Sequence, residues 1–345
     1  MGRVRVVIVD DSATMRTIIR GCLSRDSEIE VVGEAADPYE AREVIKAQSP
    51  DVITLDVNMP RMNGLEFLEK IMRLRPTPVI MVSAEVAEGA AASIEALSTG
   101  AFDCVPKPAE GHPLDAFREL SEKIKAAAQT TPRTLANRVQ HKPGSSDFSP
   151  NGRIIAVGAS TGGVDALSSL LSAFPAHCPP TVITQHMPAS FTGSFAQRLD
   201  NQCAPRVAEA WNGAPLENGQ VYIAPGGSAH LEIGGSGKLV CQLREGDPIT
   251  GHRPSVDALF SSLARQGPNV VGIILTGMGR DGAAGLLELR NRGASTIGQN
   301  QASSLVYGMP RAAHELGAVE IQLPLGEIPA AALSLCTAGN RRKAT

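Results

Sequence analysis

The fold is decided by the stretch Arg153-Ile154-Ile155-Ala156-Val157-Gly158-Ala159-Ser160-Thr161-Gly162-Gly163. Its apolar, β-branched run ends in small residues, and an apolar pattern with helical spacing follows from Val164 to Ala173. This order predicts a strand, a tight turn and a helix. Ser160 stands at the turn and fits the G-x-S-x-G pattern of a nucleophile with small neighbours. The alternative is an ordinary turn or a phosphate-binding loop at a strand–helix junction.

Length and composition limit the classes of protein to which this chain can belong. The 345 residues suffice for two domains, and 43% of them are apolar, enough for packed cores. A net charge of -3 and an aromatic content of 3% argue against nucleic acid as a partner. We therefore expect an enzyme or an interaction module that binds no nucleic acid.

The chain shows no sign of secretion or membrane insertion. Met1 begins a short basic segment that runs directly into an apolar strand pattern, without the apolar core of a signal peptide. No apolar run reaches the length that crosses a bilayer. The cysteines are scattered and form no C-x-x-C pair, which predicts reduced thiols, no metal ligation by them and a cytoplasmic protein; they are Cys22, Cys104, Cys178, Cys203, Cys241 and Cys336.

The first 125 residues alternate strand and helix patterns five times. Val4 to Val9 is a near-continuous apolar run, typical of a parallel strand that is buried on both faces. Five such units predict an α/β domain with a doubly wound, mainly parallel sheet. Ligands of these sheets bind at the carboxyl ends of the strands. The residues at those ends are Asp10, Asp11, Asp56, Ser83 and Lys107.

These five side chains predict phosphoryl chemistry. Three carboxylates at one edge repel each other unless a cation is present, and oxygen-only ligands favour Mg²⁺. Asp56, after the middle strand, is then a candidate nucleophile for a phosphoryl group. Ser83 and Lys107 would hold the phosphoryl oxygens through a hydroxyl and a positive charge. Taken singly, each residue could instead be a solvated loop end or a helix cap.

The first domain resembles the receiver domains of two-component signalling. The resemblance rests on Val9-Asp10-Asp11-Ser12, Leu55-Asp56-Val57-Asn58-Met59-Pro60 with Gly64, Val82-Ser83-Ala84 and Pro106-Lys107-Pro108. It implies a flavodoxin-like fold over residues 1–125. It further implies that Asp56 accepts a phosphoryl group from a histidine kinase. Mg²⁺ would bind Asp11, Asp56 and the Asn58 carbonyl directly, and Asp10 largely through water.

One position departs from the receiver pattern. Receivers usually carry Phe or Tyr three residues before the lysine, as a side chain that switches position, whereas this chain has Cys104. Phe102, two residues earlier, lies on the same face of the strand by period-2 alternation. Phe102 either takes over part of that switch or belongs to the core, and we favour the core.

Residues 126–152 lose periodicity and are interpreted as a flexible linker. Strand patterns then return, and three of them end just before Ser160, His186 and Asp281. Parallel strands bring such ends to one edge, so we expect a Ser-His-Asp triad. An α/β-hydrolase order of Ser, Asp and His would require His314, but the pattern around His314 predicts a helix.

Other residues of the second half suggest a binding cleft. The stretch from His230 to Leu243 predicts a β-hairpin, and Pro254 with Ser255 suits the first turn of a helix. We expect Thr161, His230, His252 and Arg253 to line a substrate groove. The alternative for each histidine is a purely structural hydrogen bond.

The second half resembles the catalytic domain of chemotaxis receptor methylesterases. The matching stretches are Gly158-Ala159-Ser160-Thr161-Gly162-Gly163, Gln185-His186-Met187, Gly251-His252-Arg253-Pro254-Ser255-Val256-Asp257 and Thr276-Gly277-Met278-Gly279-Arg280-Asp281-Gly282. The resemblance implies a Rossmann-like, three-layer hydrolase with a β-hairpin over residues 153–340, followed by a tail at 341–345.

That resemblance implies a reaction that needs no cofactor. Glutamyl methyl esters on the cytoplasmic helices of chemoreceptors would be hydrolysed, and receptor glutamines deamidated by the same attack. Ser160 would attack, His186 would carry the proton, Asp281 would orient His186 and the Met278 main-chain N–H would bind the oxyanion. Phosphorylation of Asp56 would open the catalytic edge to substrate.

Three other functions are weaker. A DNA-binding output domain needs a basic recognition helix, and only Arg341-Arg342-Lys343 is strongly basic in that region. A hydrolase of small-molecule esters is compatible with the triad, but a receiver favours a signalling substrate. A scaffold with a degenerate site does not account for a complete acidic pocket beside a complete triad.

Overall fold

The computed structural model describes residues 2–83, 87–107, 117–130, 148–235 and 237–338. The chain divides into two compact units, residues 1–138 and 139–345. Residues 131–147 of the predicted linker, Pro108, the start of the helix predicted from Pro113 and the predicted tail lie outside the described residues. Within the described part, no helix is long and apolar enough to cross a membrane.

The first unit is built on a five-stranded parallel sheet in the order β2-β1-β3-β4-β5. Its strands are β1 (Val4–Val9), β2 (Ile29–Ala35), β3 (Val52–Asp56), β4 (Val79–Ser83) and β5 (Asp103–Pro106). Strands β3 and β4 are buried at every position, as their continuous apolar sequences require. This is the flavodoxin-like strand order.

Five helices accompany that sheet, and side chains fix where three of them begin. They are α1 (Ala13–Leu23), α2 (Pro38–Gln48), α3 (Gly64–Leu74), α4 (Ala87–Thr99) and α5 (Arg118–Ala128). Ser12, Asp37 and Asn63 accept hydrogen bonds from backbone N–H groups of the first turns of α1, α2 and α3. The predicted bounds of α3 are confirmed, whereas α5 extends to Ala128, inside the predicted linker.

The second unit is built on a seven-stranded parallel sheet in the order β14-β13-β12-β6-β7-β9-β8. Its strands are β6 (Ile154–Ala159), β7 (Thr181–Gln185), β8 (Arg206–Glu209), β9 (Gln220–Ile223), β12 (Val270–Ile274), β13 (Ser295–Gln299) and β14 (Ile321–Leu323). The predicted hairpin is confirmed as the antiparallel pair β10 (Ala229–Gly234) and β11 (Val240–Glu245).

The described residues of the second unit contain six α-helices, five of them between strands and one after β14. They are α6 (Gly163–Ser172), α7 (Ala189–Gln202), α8 (Val256–Leu263), α9 (Ala283–Asn291), α10 (Met309–Glu315) and α11 (Ile328–Leu335). His314 lies on α10 and is exposed, as the helical pattern around it predicts. The chain's one tryptophan, Trp211, follows β8, is 52% exposed and contacts Tyr222 edge-to-face, with ring centroids 5.4 Å apart.

Each sheet has one point at which the strand order reverses. In the first unit the chain builds to one side of β1 through β2 and to the other through β3. In the second unit it builds to one side of β6 through β7 and to the other through β12. A crevice opens at such a point because the two connecting helices lie on opposite faces of the sheet. Both predicted sites follow the strands that flank these reversals.

The sequence patterns missed some elements and shifted others. Strands β8, β13 and β14 were not predicted. Strand β5 begins at Asp103, so Phe102 precedes it instead of opening it. Phe102 is buried all the same, in agreement with a place in the core.

Candidate active site and acidic pocket

The acidic pocket of the first unit lies at the ends of β1 and β3. Asp10 and Asp56 are buried, whereas Asp11 is exposed at the rim. Lys107, after β5, places its Nζ 2.9 Å from Asp10 Oδ2 and 2.9 Å from Asp56 Oδ2. Ser83, at the end of β4, is fully buried, and its carbonyl accepts a hydrogen bond from the Lys107 N–H. The topology therefore brings all five predicted residues to one edge.

The surroundings of Asp56 and Lys107 shift the pKa values of both side chains. Burial raises the pKa of Asp56, and the neighbouring ammonium of Lys107 only partly opposes that shift. Burial alone would lower the pKa of Lys107, but its bonds to Asp10 and Asp56 outweigh burial and raise it. Lys107 thus stays a cation at neutral pH and holds the two carboxylates together.

The pocket fits a divalent cation with oxygen ligands. One carboxylate oxygen from each of Asp10, Asp11 and Asp56 lies within 4.8 Å of the others. An all-oxygen donor set with one exposed member suits Mg²⁺, which retains water ligands. Gly64 permits this geometry, since a Cβ there would lie 2.0 Å from the Asp56 carbonyl oxygen. Asn58 lies beside the pocket and is exposed.

Cys104 connects β5 to two helices. Its Sγ donates to the Ser93 carbonyl of α4 at 3.4 Å, and its own carbonyl accepts from Lys123 Nζ of α5 at 3.2 Å. Burial raises the pKa of the Cys104 thiol far above its usual range, so the side chain is a neutral donor. The position that an aromatic side chain occupies in other receivers is therefore a fixed hydrogen-bonded contact in this chain.

The second site lies where β6, β7 and β12 end. Ala159 pairs with Gln185 in the sheet, so Ser160 and His186 are the first residues beyond that pair. His186 Nε2 lies 2.8 Å from Asp281 Oδ2. The other ring nitrogen, Nδ1, is buried and has no hydrogen-bond partner among the described residues. The ring is thus anchored at Nε2 and leaves Nδ1 as its proton acceptor.

A helix N-terminus holds the Asp281 carboxylate. Asp281 is fully buried and accepts from the N–H groups of Val256 and Asp257, at 2.7 and 3.2 Å. Ser255, the N-cap of α8, donates its hydroxyl to Asp281 Oδ1 at 2.8 Å. Unpaired N–H groups and the helix dipole favour a negative charge at this point. The carboxylate therefore has one fixed orientation toward His186.

These contacts decide the ionisation of Asp281. Burial alone would raise its pKa, but the hydrogen bond and charge of His186, the Val256 N–H and the Ser255 hydroxyl outweigh burial. The net result is a pKa well below the usual range of an aspartate. Asp281 is therefore ionised at neutral pH, where it can stabilise an imidazolium.

Backbone contacts fix the serine between its two neighbouring strands. The Ser160 N–H donates to the Thr276 carbonyl at 3.0 Å. Gln185 donates its side-chain amide to the carbonyls of Ser160 and His186, both at 3.0 Å. Ser160 is 9% exposed. Sequence reasoning did not single out Gln185 or Thr276, because the letters alone do not reveal their partners.

The predicted groove residues have unequal roles. His252 stacks on His186, with centroids 3.8 Å apart and ring planes inclined by 9°. Arg253 is exposed and donates to the Gly227 and Gly246 carbonyls at 2.7 and 2.8 Å, which ties two loops together. Thr161 is buried, and its carbonyl accepts from the Thr276 hydroxyl. Of these three residues, Arg253 is exposed and His252 is half-buried, whereas Thr161 is buried.

His230 differs from its predicted role in a groove. It is 4% exposed, and both of its ring nitrogens are bonded to backbone groups of Asp247 and Ser255. A ring without a spare nitrogen has nothing to offer a substrate. His230 therefore lies behind the triad, and the alternative interpretation, a structural hydrogen bond, fits it better.

Met278 lies in the turn that follows β12. Its neighbour Gly279 has φ 76°, a left-handed conformation that suits glycine. Gly277 is held by hydrogen bonds with Val306, Gly308 and Met309. Met278 itself is half-buried. A fixed turn of this kind can present a main-chain N–H to a developing oxyanion.

The geometry of both sites agrees with the comparisons to known proteins. A family model described as CheB methylesterase matches residues 155–332, and one described as Response regulator receiver domain matches residues 6–117. A protein-glutamate methylesterase/protein-glutamine glutaminase from Rhizobium johnstonii is 58% identical over 327 residues, 94% of either chain. The chain belongs to the CheB methylesterase family. It therefore joins a receiver to a carboxylic ester hydrolase.

Other members of the CheB methylesterase family support the same assignment. A protein-glutamate methylesterase/protein-glutamine glutaminase from Caulobacter vibrioides is 56% identical over 342 residues, 98% of this chain and 99% of that one. The crystal structure of the Thermotoga maritima CheB methylesterase catalytic domain matches with a TM-score of 0.52 and 36% identity, over 54% of this chain and 99% of that one. Family membership makes the chain a protein-glutamate methylesterase and protein-glutamine glutaminase with a receiver domain.

Proposed function

We propose that the chain removes methyl groups from glutamyl esters, and ammonia from glutamines, on the cytoplasmic helices of chemoreceptors. Ser160, His186 and Asp281 carry the reaction, and phosphorylation of Asp56 raises its rate. The observation that carries this proposal is the His186 Nε2–Asp281 hydrogen bond, which leaves His186 Nδ1 without a partner among the described residues; Ser160 and His186 directly follow the paired residues Ala159 and Gln185.

The residues divide the chemistry among themselves. As the Ser160 oxygen bonds to the ester carbon, its proton moves to His186 Nδ1, and the carbonyl oxygen becomes an oxyanion. The Met278 N–H stabilises that oxyanion. The imidazolium of His186 is stabilised by Asp281 and returns the proton to the leaving methanol or ammonia. Water then attacks the ester formed with Ser160, with His186 taking its proton, and the bond to the Ser160 oxygen breaks, which releases the glutamate carboxylate and restores the serine hydroxyl.

The hydrogen bond to Asp281 gives the two ring nitrogens of His186 different roles in this proposal. Nε2 carries the proton that Asp281 accepts, so in this proposal Nδ1 is the nitrogen that takes the proton from Ser160. In the serine protease template the two nitrogens have the opposite assignment. The chemistry is unchanged, because either nitrogen of a neutral imidazole can be the base once the other is held by a carboxylate.

The receiver supplies control in this proposal. Asp56 takes the phosphoryl group from a histidine kinase, and Ser83 and Lys107 bind its oxygens. Asp11, Asp56 and the Asn58 carbonyl would hold Mg²⁺, with Asp10 acting through water. When bound, the ion would offset the negative charge of the phosphoryl oxygens.

Methanol release tests the proposal. Purified wild-type chain is mixed with receptor membranes that carry radiolabelled methyl esters, with and without a small phosphodonor. We expect release from wild type, a higher rate with the phosphodonor, and a loss of about 10⁶-fold in Ser160→Ala. Ser149→Ala, an exposed serine of the same unit, is the matched control.

Other outcomes would remove the proposal. No release by wild type, or equal release by Ser160→Ala, contradicts it. Activity toward small esters but not toward receptor membranes would favour the small-molecule hydrolase instead.

A further inference from the structure

His230 makes two hydrogen bonds that define its proton positions. Nδ1 accepts from the Ser255 N–H at 3.1 Å, and Nε2 lies 3.0 Å from the Asp247 carbonyl oxygen. A carbonyl only accepts and an N–H only donates, so Nε2 carries the proton and Nδ1 has none. The buried ring is therefore neutral and joins the loop at Asp247 to the start of α8.

The Ser255 end of this contact leads directly to the triad. Ser255 is the N-cap of α8, fully buried, and its hydroxyl donates to Asp281 Oδ1. The next residue, Val256, donates its N–H to Asp281 Oδ2, the oxygen that also binds His186. The position of the Ser255 backbone thus sets the position of the Asp281 carboxylate.

The packing around Val256 leaves the start of α8 little room to move. A Cβ on Gly158 would lie 2.2 Å from Val256 Cγ1, and one on Gly282 would lie 2.5 Å from it. The start of α8 is thus packed between β6 and the turn after Asp281. The hydrogen bond from the Ser255 N–H to His230 adds a contact from the hairpin, because His230 lies on β10.

We propose that His230 is a positioning residue for the triad, acting through Ser255 on Asp281. This inference rests on the proposed function, since it assigns Asp281 a catalytic role. His230 itself touches neither Ser160 nor His186 by any hydrogen bond among the described residues. Its effect is to hold the acceptor of the His186 proton in place, and therefore to aim His186 Nδ1.

Two variants separate the contribution of each ring nitrogen. His230→Asn keeps an acceptor close to the Nδ1 position, which can bind the Ser255 N–H. His230→Gln keeps a donor close to the Nε2 position and loses that acceptor. We expect kcat to fall roughly 10- to 100-fold in His230→Gln with little change in KM, because a misplaced catalytic group costs that much. His230→Asn should recover most of kcat, and His314→Gln, on an exposed helix surface, is the control.

A second readout is independent of turnover. In protein labelled with ¹⁵N-histidine, the downfield proton resonance of His186 Nε2–H reports the bond to Asp281. It should shift or broaden in His230→Gln and persist in His230→Asn, and circular dichroism establishes that each variant is folded. If His230→Gln does not fold, His230→Asn decides, and loss of the resonance in folded His230→Asn overturns the proposal. Equal kcat losses in both variants, or none in either, also overturn it.

The two readouts, kcat and the His186 resonance, test the role of His230 separately from the proposed function. An inactive wild type would contradict the proposed function, while the resonance would still test whether His230 positions the His186–Asp281 bond.

Discussion

Asp56 and Asp281 occupy corresponding places in two parallel sheets and are treated in opposite ways. Each is buried near the point where its strand order reverses. Asp56 faces a cation and two further carboxylates, and its pKa is raised. Asp281 faces the N-terminus of a helix and a histidine, and its pKa is lowered. In the proposed function, the same topology thus produces one carboxylate that reacts, Asp56, and one that only orients a histidine, Asp281.

Asp56 and Asp281 differ in which groups compensate the negative charge of the carboxylate. At Asp56 compensation comes from one mobile ammonium, Lys107, and from whatever cation the pocket binds. At Asp281 it comes from backbone N–H groups, which cannot move away without unwinding α8. A reactive carboxylate needs an accessible oxygen, whereas an orienting carboxylate needs every oxygen occupied. The number and rigidity of donors therefore distinguish the two roles.

Asp281→Asn breaks this comparison most strongly. The amide cannot accept the His186 Nε2 proton with the charge of a carboxylate, and its NH₂ group favours the wrong imidazole tautomer. We expect kcat for methanol release to fall about 10⁴-fold, as in the equivalent change of a serine protease triad. A loss below tenfold would show that Asp281 does not orient the base. Asp257→Asn is a poor control because Asp257 accepts from Gly285, so exposed Glu288→Gln is preferable.

Asp56→Asn tests the other side of the comparison. The neutral amide cannot be phosphorylated, so the phosphodonor should no longer stimulate methanol release, whereas the basal rate should persist. Coupling between two sites typically changes activity by about 5- to 150-fold, and that whole factor should disappear. Exposed Glu69→Gln, in the same unit, should retain stimulation. Full stimulation of Asp56→Asn would place control elsewhere.

Gly158→Ala tests the packing of α8, the helix whose first N–H groups bind the Asp281 carboxylate. Its methyl group would lie 2.2 Å from Val256 Cγ1, and overpacking of this kind costs about 1–3 kcal/mol of stability. Chemical denaturation measures that loss. Adding Val256→Ala removes the clashing methyl groups, so the double variant should be more stable than the sum of the two single changes predicts. Simple additivity would show that the clash is relieved elsewhere.

His252→Ala should have the smallest effect. The stacked pair of His252 and His186 is worth about 0.5–1.5 kcal/mol, so its loss should lower kcat by at most about tenfold. His252→Phe retains a flat ring and should recover most of the rate. If both variants lose activity equally, His252 contributes a hydrogen bond instead of a ring face.

Much of both sites was predictable because their residues stand where strand patterns end. The positions of Asp10, Asp56 and Lys107 follow from that rule, and so do Ser160 and His186. The hydrogen bonds that hold Asp281 were not predictable, because the sequence does not show which backbone N–H groups of α8 bind its carboxylate. The contact between Gly158 and Val256 was not predictable either, because the sequence does not show which side chain packs where Gly158 lacks one. The burial of His230 likewise depends on a hairpin packing that period-2 alternation cannot show.

The half-exposed indole of Trp211 has an experimental consequence. It is the only tryptophan of the chain and belongs to the second unit, next to Tyr222. Red-edge excitation therefore yields an emission spectrum from the catalytic unit alone, and the receiver is dark. Circular dichroism reports helices in both units. Recording the two signals in one denaturant titration resolves the unfolding of each unit in the intact chain, without cutting it or adding a dye.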